Sequence, residues 1–323
     1  RLHGMQEVTG STPVFSTKGG PSWARLFRSM PLSGSLIERL SEHLSRHLGG
    51  AVHVEREVPV GGGSINDAYR LETNEGAFFA KVNLADRFPS MFEAEADGLR
   101  RLAAAGPIRV PNVIAQGEDH DDSYLLMEHI SGGARSDAFW EDFGRSLARL
   151  HAHTHDRFGL ERDNYIGSLK QVNTLCARWE DLFIHYRLEP LVKMAQDKGR
   201  LAMSDVLRFE RLYMRLPSLF PNEPPALLHG DLWNGNFLSD EHNAPVLIDP
   251  AVYFGHREMD IAMSRLFGGF EPAFYTAYQH QRPLEQGWEE RVDLCNLYPL
   301  LVHLNLFGGG YAQPITAALG RFI

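Results

Sequence analysis

His229-Gly230-Asp231-Leu232-Trp233-Asn234-Gly235-Asn236 is the stretch that decides how this chain folds and works. An aspartate and an asparagine stand five residues apart, behind a His-Gly pair and among turn-forming residues. The apolar run Pro245-Val246-Leu247-Ile248 then delivers a second aspartate, Asp249, ahead of Pro250-Ala251. Taken singly, the first piece is an ordinary turn and the second a strand-end cap, because short motif matches are common by chance. Here order, spacing and strand context coincide, which makes the three polar residues candidates for a single site.

Phosphoryl transfer from ATP needs a base or positioner for the attacking hydroxyl, oxygen ligands for magnesium, a cation on the phosphates and a backbone cradle above them. In the protein-kinase loop H-R-D-x-x-x-x-N the aspartate contacts the hydroxyl and the asparagine binds metal. Asp231 and Asn236 keep that spacing, and Asp249 stands where kinases put the aspartate of D-F-G. Asp231 is therefore the candidate base, with Asn236 and Asp249 as candidate Mg2+ ligands. Upstream, Lys81 interrupts the apolar strand Phe78-Phe79-Ala80-Lys81-Val82, where a charge is costly unless it meets an anion or faces a cleft. Glu95, on the next helix, supplies that anion, with Glu93 as the alternative two residues away. Gly61-Gly62-Gly63-Ser64 lies between two strands ahead of Lys81, where glycines let backbone amides approach a phosphate closely. The run departs from G-x-G-x-x-G, and a plain hairpin turn has the same look.

Around these residues the chain divides in two. Helical spacing at Leu36, Ile37, Leu40, Leu44 and Leu48, opened by Ser35-Leu36-Ile37-Glu38, predicts a first helix. Strands are expected at Val52 to Glu55, Ala68 to Leu71, Ala77 to Val82, Val113 to Gln116 and Tyr124 to Met127, with a helix from Ser90 to Ala105 between the third and fourth. Beyond the turn-rich Glu128-His129-Ile130-Ser131-Gly132-Gly133, helical spacing dominates from Phe139 to His155 and from Trp179 to Leu216, with a β-rich island between Leu227 and Ile248. The pattern predicts an α+β, two-lobed fold. Its parts are a flexible extension (1–30), a small β-rich N-terminal lobe (31–127), a hinge (128–133) and a larger, mainly helical lobe (134–323).

Composition narrows the function classes. With 323 residues, 43% hydrophobic and 23% charged, the chain can build two ordinary lobes. A net charge of -9 gives no electrostatic footprint for a phosphate backbone, which argues against nucleic acid as a partner. No stretch reaches the roughly 18 uninterrupted apolar residues of a membrane span. The two cysteines, Cys176 and Cys295, match no metal or redox spacing, and so few suit a reducing compartment, so a cytoplasmic location is expected. His151 and His155 stand at i and i+4 on a predicted helix, but H-E-x-x-H is absent and no cysteine is near, so a packing role is preferred to zinc.

Beyond the catalytic run, Asp249-Pro250-Ala251-Val252-Tyr253-Phe254-Gly255-His256-Arg257-Glu258-Met259-Asp260, Leu266-Phe267-Gly268-Gly269-Phe270, Met91-Phe92-Glu93-Ala94-Glu95, and Phe158-Gly159 through Asp163-Asn164-Tyr165-Ile166-Gly167 carry a more specific signal. In these strings the chain, from Pro31 onward, resembles the fructosamine kinase (ketosamine-3-kinase) family, a branch of the protein-kinase-like superfamily near the aminoglycoside phosphotransferases. The resemblance implies transfer of the ATP γ-phosphate to the 3-hydroxyl of a ketosamine, on free amino acids or glycated protein lysines, as a deglycation repair. It implies that Lys81 and Glu95 hold phosphates, that the backbone near Glu128, His129 and Ile130 contacts adenine, and that Trp233, with Asn164 and Trp179 behind it, lines the acceptor pocket. Some relatives carry a cysteine in the glycine loop. The residue here is Ser64, so no loop-cysteine switch is expected, and His256, Arg257, Glu258 and Asp260 are expected to brace the catalytic loop. Two alternatives remain open on the sequence: an aminoglycoside- or choline-type phosphotransferase, and a nucleotide-binding protein without catalysis.

Overall fold

A computed structural model describes residues 31–61 and 65–323. The predicted extension (1–30), and Gly62, Gly63 and Ser64 of the predicted phosphate loop, lie outside the described residues.

The first helix, α1 (Gly34–Leu48), starts one residue after Ser33, whose hydroxyl accepts the Leu36 amide at 3.2 Å, and stops at left-handed Gly49. The cap is therefore Ser33 rather than the predicted Ser35. Strands β1 (Val54–Pro59), β2 (Asp67–Thr73), β3 (Gly76–Leu84), β4 (Val113–Asp119) and β5 (Asp122–Glu128) form one antiparallel sheet in the order β1-β2-β3-β5-β4. Helix α2 (Met91–Ala105) joins β3 to β4. Side chains alternate faces along a strand, so one strand can serve two cores. Ala80, Val82 and Leu126 pack with Leu36, Leu40 and Leu44 of α1, whereas Leu125 and Met127 pack with Phe92, Ala96 and Leu99 of α2. Lys81 pairs with Leu125 across the ladder, so the pleat turns the lysine to the α2 face.

The helical part begins with α3 (Asp137–Leu150), followed by the hairpin β6 (Asn164–Ile166) and β7 (Leu169–Gln171). Next come α4 (Trp179–Phe183), a π-helical turn (Ile184–Leu188), α5 (Glu189–Asp197) and α6 (Met203–Leu219). Four short strands follow, β8 (Ala226–Leu228), β9 (Phe237–Ser239), β10 (Pro245–Leu247) and β11 (Tyr253–Gly255), paired as β9 with β10 and β8 with β11. The chain then closes with α7 (Glu258–Leu266), α8 (Pro272–Gln281), α9 (Trp288–Cys295), α10 (Leu297–Phe307) and α11 (Ala312–Phe322). No described helix is long and apolar enough to cross a membrane.

Two expected helices prove shorter. α3 ends at His151 because that buried ring is drawn between Tyr278 and Asp260, and the chain then forms a bridge from Thr154 to Ala226. The span from Trp179 to Leu216 is broken by the π turn and again at Gly199, whose φ of +64° lies in the left-handed region that favours glycine.

The two parts share a core. Phe92, Leu99, Leu125 and Met127 from the sheet side pack with Phe143, Phe237, Leu247 and Val252 from the helical side. The connection after β5 is fastened as well: Gly133 donates to Ser239 O at 2.8 Å, and Arg109 pairs with both Glu128 and Asp240. Helices α3 and α8 approach so closely at Gly144 that a Cβ there would lie 2.1 Å from Phe274 O. Gly144→Ala is accordingly expected to destabilise the protein by roughly 1–3 kcal/mol, although alanine is the better helix former. Urea melts check this, and a variant more stable than the parent would contradict the close approach.

Candidate active site

Four chain segments converge on Asp231. β8 ends at Leu228, and the residues that follow form a tight turn in which Trp233 donates to Asp231 O at 3.1 Å and Asn236 N donates to Trp233 O at 3.0 Å. That turn folds Asn236 back onto Asp231: its Nδ2 donates to Asp231 Oδ2 at 2.8 Å and to Asp231 O at 2.9 Å. The Ile248 amide donates to Asn236 O at 3.1 Å, which sets Asp249 beside the turn. From the other side Lys81 on β3 reaches Asp249 Oδ1 and Glu95 Oε1, each at 2.6 Å. Glu95 is thus the lysine's partner on α2, and the alternative, Glu93, pairs instead with Arg162 at 3.5 Å.

Position in the cleft sets the charge state of each group. Burial raises the Asp231 carboxyl to about 7, opposed by the Asn236 amide and reinforced by the negative charges of Asp249 and Asp260. Such a group sits near the protonation balance that general-base work requires. Burial alone would pull the Lys81 ammonium down, but the Asp249 and Glu95 carboxylates outweigh it and hold the lysine above its ordinary value. Lys81 therefore stays charged.

The catalytic turn rests on Asp260, a fully buried carboxylate in α7. It accepts the backbone amides of His229 at 2.8 Å and Gly230 at 2.9 Å, and His151 Nε2 donates to it at 3.2 Å. His229 Nε2 donates to Ile248 O at 2.9 Å while its Nδ1 accepts the Asp231 amide at 3.3 Å, which fixes one neutral tautomer. Burial lowers the pKa of both His151 and His229. His155 lies stacked on Phe254 at 4.9 Å, so the two histidines read as a possible zinc pair have diverged.

Asn236 and Asp249 offer an amide oxygen and a carboxylate, the hard oxygen donors magnesium takes alongside nucleotide phosphates. The Asn236 nitrogen is engaged by Asp231, and Lys81 occupies only one oxygen of Asp249, which is half-exposed. This donor chemistry fits Mg2+. Among the described residues no three or more His, Cys, Asp or Glu gather as a metal cage.

The remaining expected site residues separate. Trp233 is half-buried over Gly235 and meets Phe267 edge-on at 6.0 Å, with the His303 ring a further 4.9 Å beyond Phe267. Gly61 is exposed at the end of β1, and Ile65 lies close to Gly167 on the β6–β7 turn. Glu128 closes β5 with its amide donated to Asn112 O at 2.9 Å, and His129 and Ile130 follow half-buried.

Trp179 and Asn164 do not reach an acceptor pocket. Trp179 is 3% exposed, stacked on Phe183 at 5.1 Å within the helical core, because the amphipathic start of α4 turns its ring inward. Asn164 is buried with Nδ2 donating to Val252 O at 2.8 Å and Oδ1 accepting from Gln171 and Asn173. Sequence reasoning missed Gln171, and it gave His151 a packing role and Phe267 only a place in a family string; their partners lie far away along the chain, so no local spacing showed what they touch.

Comparison with known proteins shows what the chain as a whole is similar to. The fructosamine kinase family model matches residues 36–323. The chain is similar to a "Probable ketoamine kinase" of Enterococcus faecium, 42% identical over 82% of this chain and 94% of that protein. It is also similar to the chloroplastic "Protein-ribulosamine 3-kinase" of Arabidopsis thaliana, 42% identical over 85% of each. A crystal structure named "putative fructosamine-3-kinase" from Thermobifida fusca superposes with TM-score 0.81 at 34% identity, over 90% of this chain and 99% of that one. An aminoglycoside phosphotransferase shares the fold at TM-score 0.58 and 15% identity, over 87% of this chain and 95% of that one.

Proposed function

The chain belongs to the fructosamine kinase family, and from that membership we propose that it transfers the γ-phosphoryl group of ATP to the 3-hydroxyl of an amine-linked ketose. The acceptors are fructosamine or ribulosamine adducts, on free amino acids or on protein lysines. Because the phosphorylated adduct decomposes, the activity is a deglycation repair, carried out in the cytoplasm.

The observation that carries this assignment is the half-buried Asp231 carboxyl, held by Asn236 beside the Lys81–Asp249 pair. Asp231 orients the acceptor hydroxyl and takes its proton as the oxygen bonds to the γ-phosphorus and the bond to ADP breaks. Lys81, steadied by Glu95, holds the nucleotide phosphates, to which Gly61, Gly62, Gly63 and Ser64 contribute backbone amides. Asn236 and Asp249 hold magnesium, which when bound neutralises charge building on the phosphate oxygens. With the Glu128 amide already donated to Asn112 O, a hydrogen-bond donor to adenine comes from His129 or Ile130. Residues 31–127 and 134–323 act as the two lobes, with 128–133 as the hinge. Trp233, backed by Phe267, offers a flat aromatic face to the sugar.

The test is ATP-dependent phosphorylation of ribulose-lysine and fructose-lysine beside kanamycin and choline. Turnover of the ketosamines is expected, and exclusive turnover of kanamycin or choline would assign the other acceptor class. Asp249→Ala is expected to weaken nucleotide binding in the presence of magnesium by about tenfold or more while leaving metal-free binding near the parent value. Titrations with and without magnesium check this, and equal losses in both would remove Asp249 from the metal site.

A further inference from the structure

We propose that Gln171 and Asn164, tied to the buried Arg187, are positioning residues that set the spacing between Asp231 and Asp249. The proposal rests on the assignment of Asp249 as a magnesium ligand.

Ala251 is the point both aspartates share. Its amide donates to His229 O at 2.9 Å, and its carbonyl lies where a Cβ on Gly230 would come within 2.1 Å, so the backbone just before Asp231 is moulded around Ala251. Two residues before Ala251, Asp249 has a φ of +55°, in the left-handed region that a non-glycine residue keeps only when its surroundings hold it.

Those surroundings are a buried amide relay. Gln171 Nε2 donates to Ala251 O at 3.1 Å and to Asn164 Oδ1 at 2.7 Å, and Asn164 Nδ2 donates to Val252 O at 2.8 Å. The acceptor end of Gln171 is fixed by the Tyr298 hydroxyl at 2.6 Å. Asn173 donates to Asn164 Oδ1 at 3.0 Å, and Arg187 Nη2 donates to Asn173 Oδ1 at 2.6 Å.

Arg187 comes from the π-helical turn between α4 and α5, the kind of irregularity that recurs at functional sites. Its guanidinium lies over the Tyr253 ring at 4.4 Å and the Tyr298 ring at 5.6 Å. Among the described residues its hydrogen bonds go to the Val172 and Tyr186 carbonyls and to Asn173, none to a carboxylate. A cation buried on such terms is costly to keep, and here it orders a chain of amides that ends on the carbonyls of Ala251 and Val252, two and three residues after Asp249. Gln171 Nε2 and Asn173 Nδ2 each divide their hydrogens between two acceptors, and Asn164 Nδ2 donates to Val252 O, so the linked amides hold the carbonyls of Ala251 and Val252 in one arrangement.

The experiment uses the full chain with Mn2+ as the probe, its affinity in the presence of a non-hydrolysable ATP analogue read from the paramagnetic resonance of the free ion. Asp249→Ala serves as the reference. Gln171→Met, folded by circular dichroism, is expected to bind Mn2+ about tenfold or more weakly, to keep the acceptor KM, and to regain kcat as magnesium is raised. If Gln171→Met does not fold, Asn164→Asp carries the same outcomes, since it keeps its size and both accepted bonds and loses the donation to Val252 O. A folded variant with Mn2+ affinity within twofold of the parent and a lowered melting temperature would overturn the proposal, leaving the relay a matter of stability alone. Parent-like Mn2+ binding by Asp249→Ala would overturn the metal assignment and the proposal with it.

Discussion

Replacing Asp231 with asparagine is expected to lower kcat by about two orders of magnitude or more, with nucleotide affinity nearly unchanged, and to stabilise the protein above pH 7. Asparagine keeps the shape of the side chain and can still accept from Asn236 Nδ2, so the turn survives while the proton acceptor is lost. Stability moves the other way from activity. The folded-state pKa of Asp231, about 7, lies above the value near 3.9 of an unfolded aspartate, so the folded protein retains a proton that the unfolded chain has released. Stability therefore falls as pH rises from about 4 to about 7, by up to ~4 kcal/mol, and this loss is in full force above pH 7. Asp231→Asn removes it. A higher melting temperature than the parent at pH 8, converging with it near pH 4.5, is the expected result; near-normal turnover would remove Asp231 as the base. The parent kcat/KM should itself fall tenfold per pH unit on the acid side of about 7.

Asp260→Ala is expected to cost roughly 3–5 kcal/mol and to take most of the activity with it. The substitution strips the acceptor from two buried backbone amides, at His229 and Gly230, and from His151 Nε2, and each orphaned donor loses on the order of 1–3 kcal/mol. Those same amides carry the turn that presents Asp231, so turnover falls for a geometric reason. Burial alone would raise the Asp260 pKa, but the His151 hydrogen bond and the nearby imidazoles and Gly230 amide hold it below the ordinary carboxylate value. A depressed folded-state pKa contributes stability present above the unfolded value near 4 and lost as pH falls through the folded one. Part of the acid sensitivity of the parent should therefore be missing in Asp260→Asn, which still accepts through one oxygen. Denaturant melts from pH 3 to 8 read both effects, and Asp260→Ala within 1 kcal/mol of the parent would contradict the bracing role.

What the sequence made legible follows the distance over which each interaction acts. Asp231 with Asn236 lies within one turn, so spacing carried it, whereas Lys81 within one strand-helix unit was marked by its charge in an apolar strand, and the choice of Glu95 over Glu93 needed the fold. The sheet was legible in short apolar runs such as Tyr124 to Met127, although which helix covers which face of them needed the fold. Asn164 stands in a string shared with the family and Trp179 was expected beside it in the pocket, yet sequence says nothing about the direction a side chain takes. Trp179 turns into an aromatic core and Asn164 into an amide relay whose members come from Gln171, Asn173 and Val252. The C-terminal limits of α3 were hidden for the same reason, since the ring that ends it is claimed by Asp260 and Tyr278, more than a hundred residues later.

The most direct test of the central claim is the site of phosphorylation in the product formed from ATP and ribulose-lysine, read by phosphorus–proton correlation NMR. Coupling of the new phosphorus to the proton on C3 of the ketose, with one ADP formed per product and no product from Asp231→Asn in the same time, is the predicted result. Phosphate on another hydroxyl, or unchanged product formation by Asp231→Asn, would contradict it.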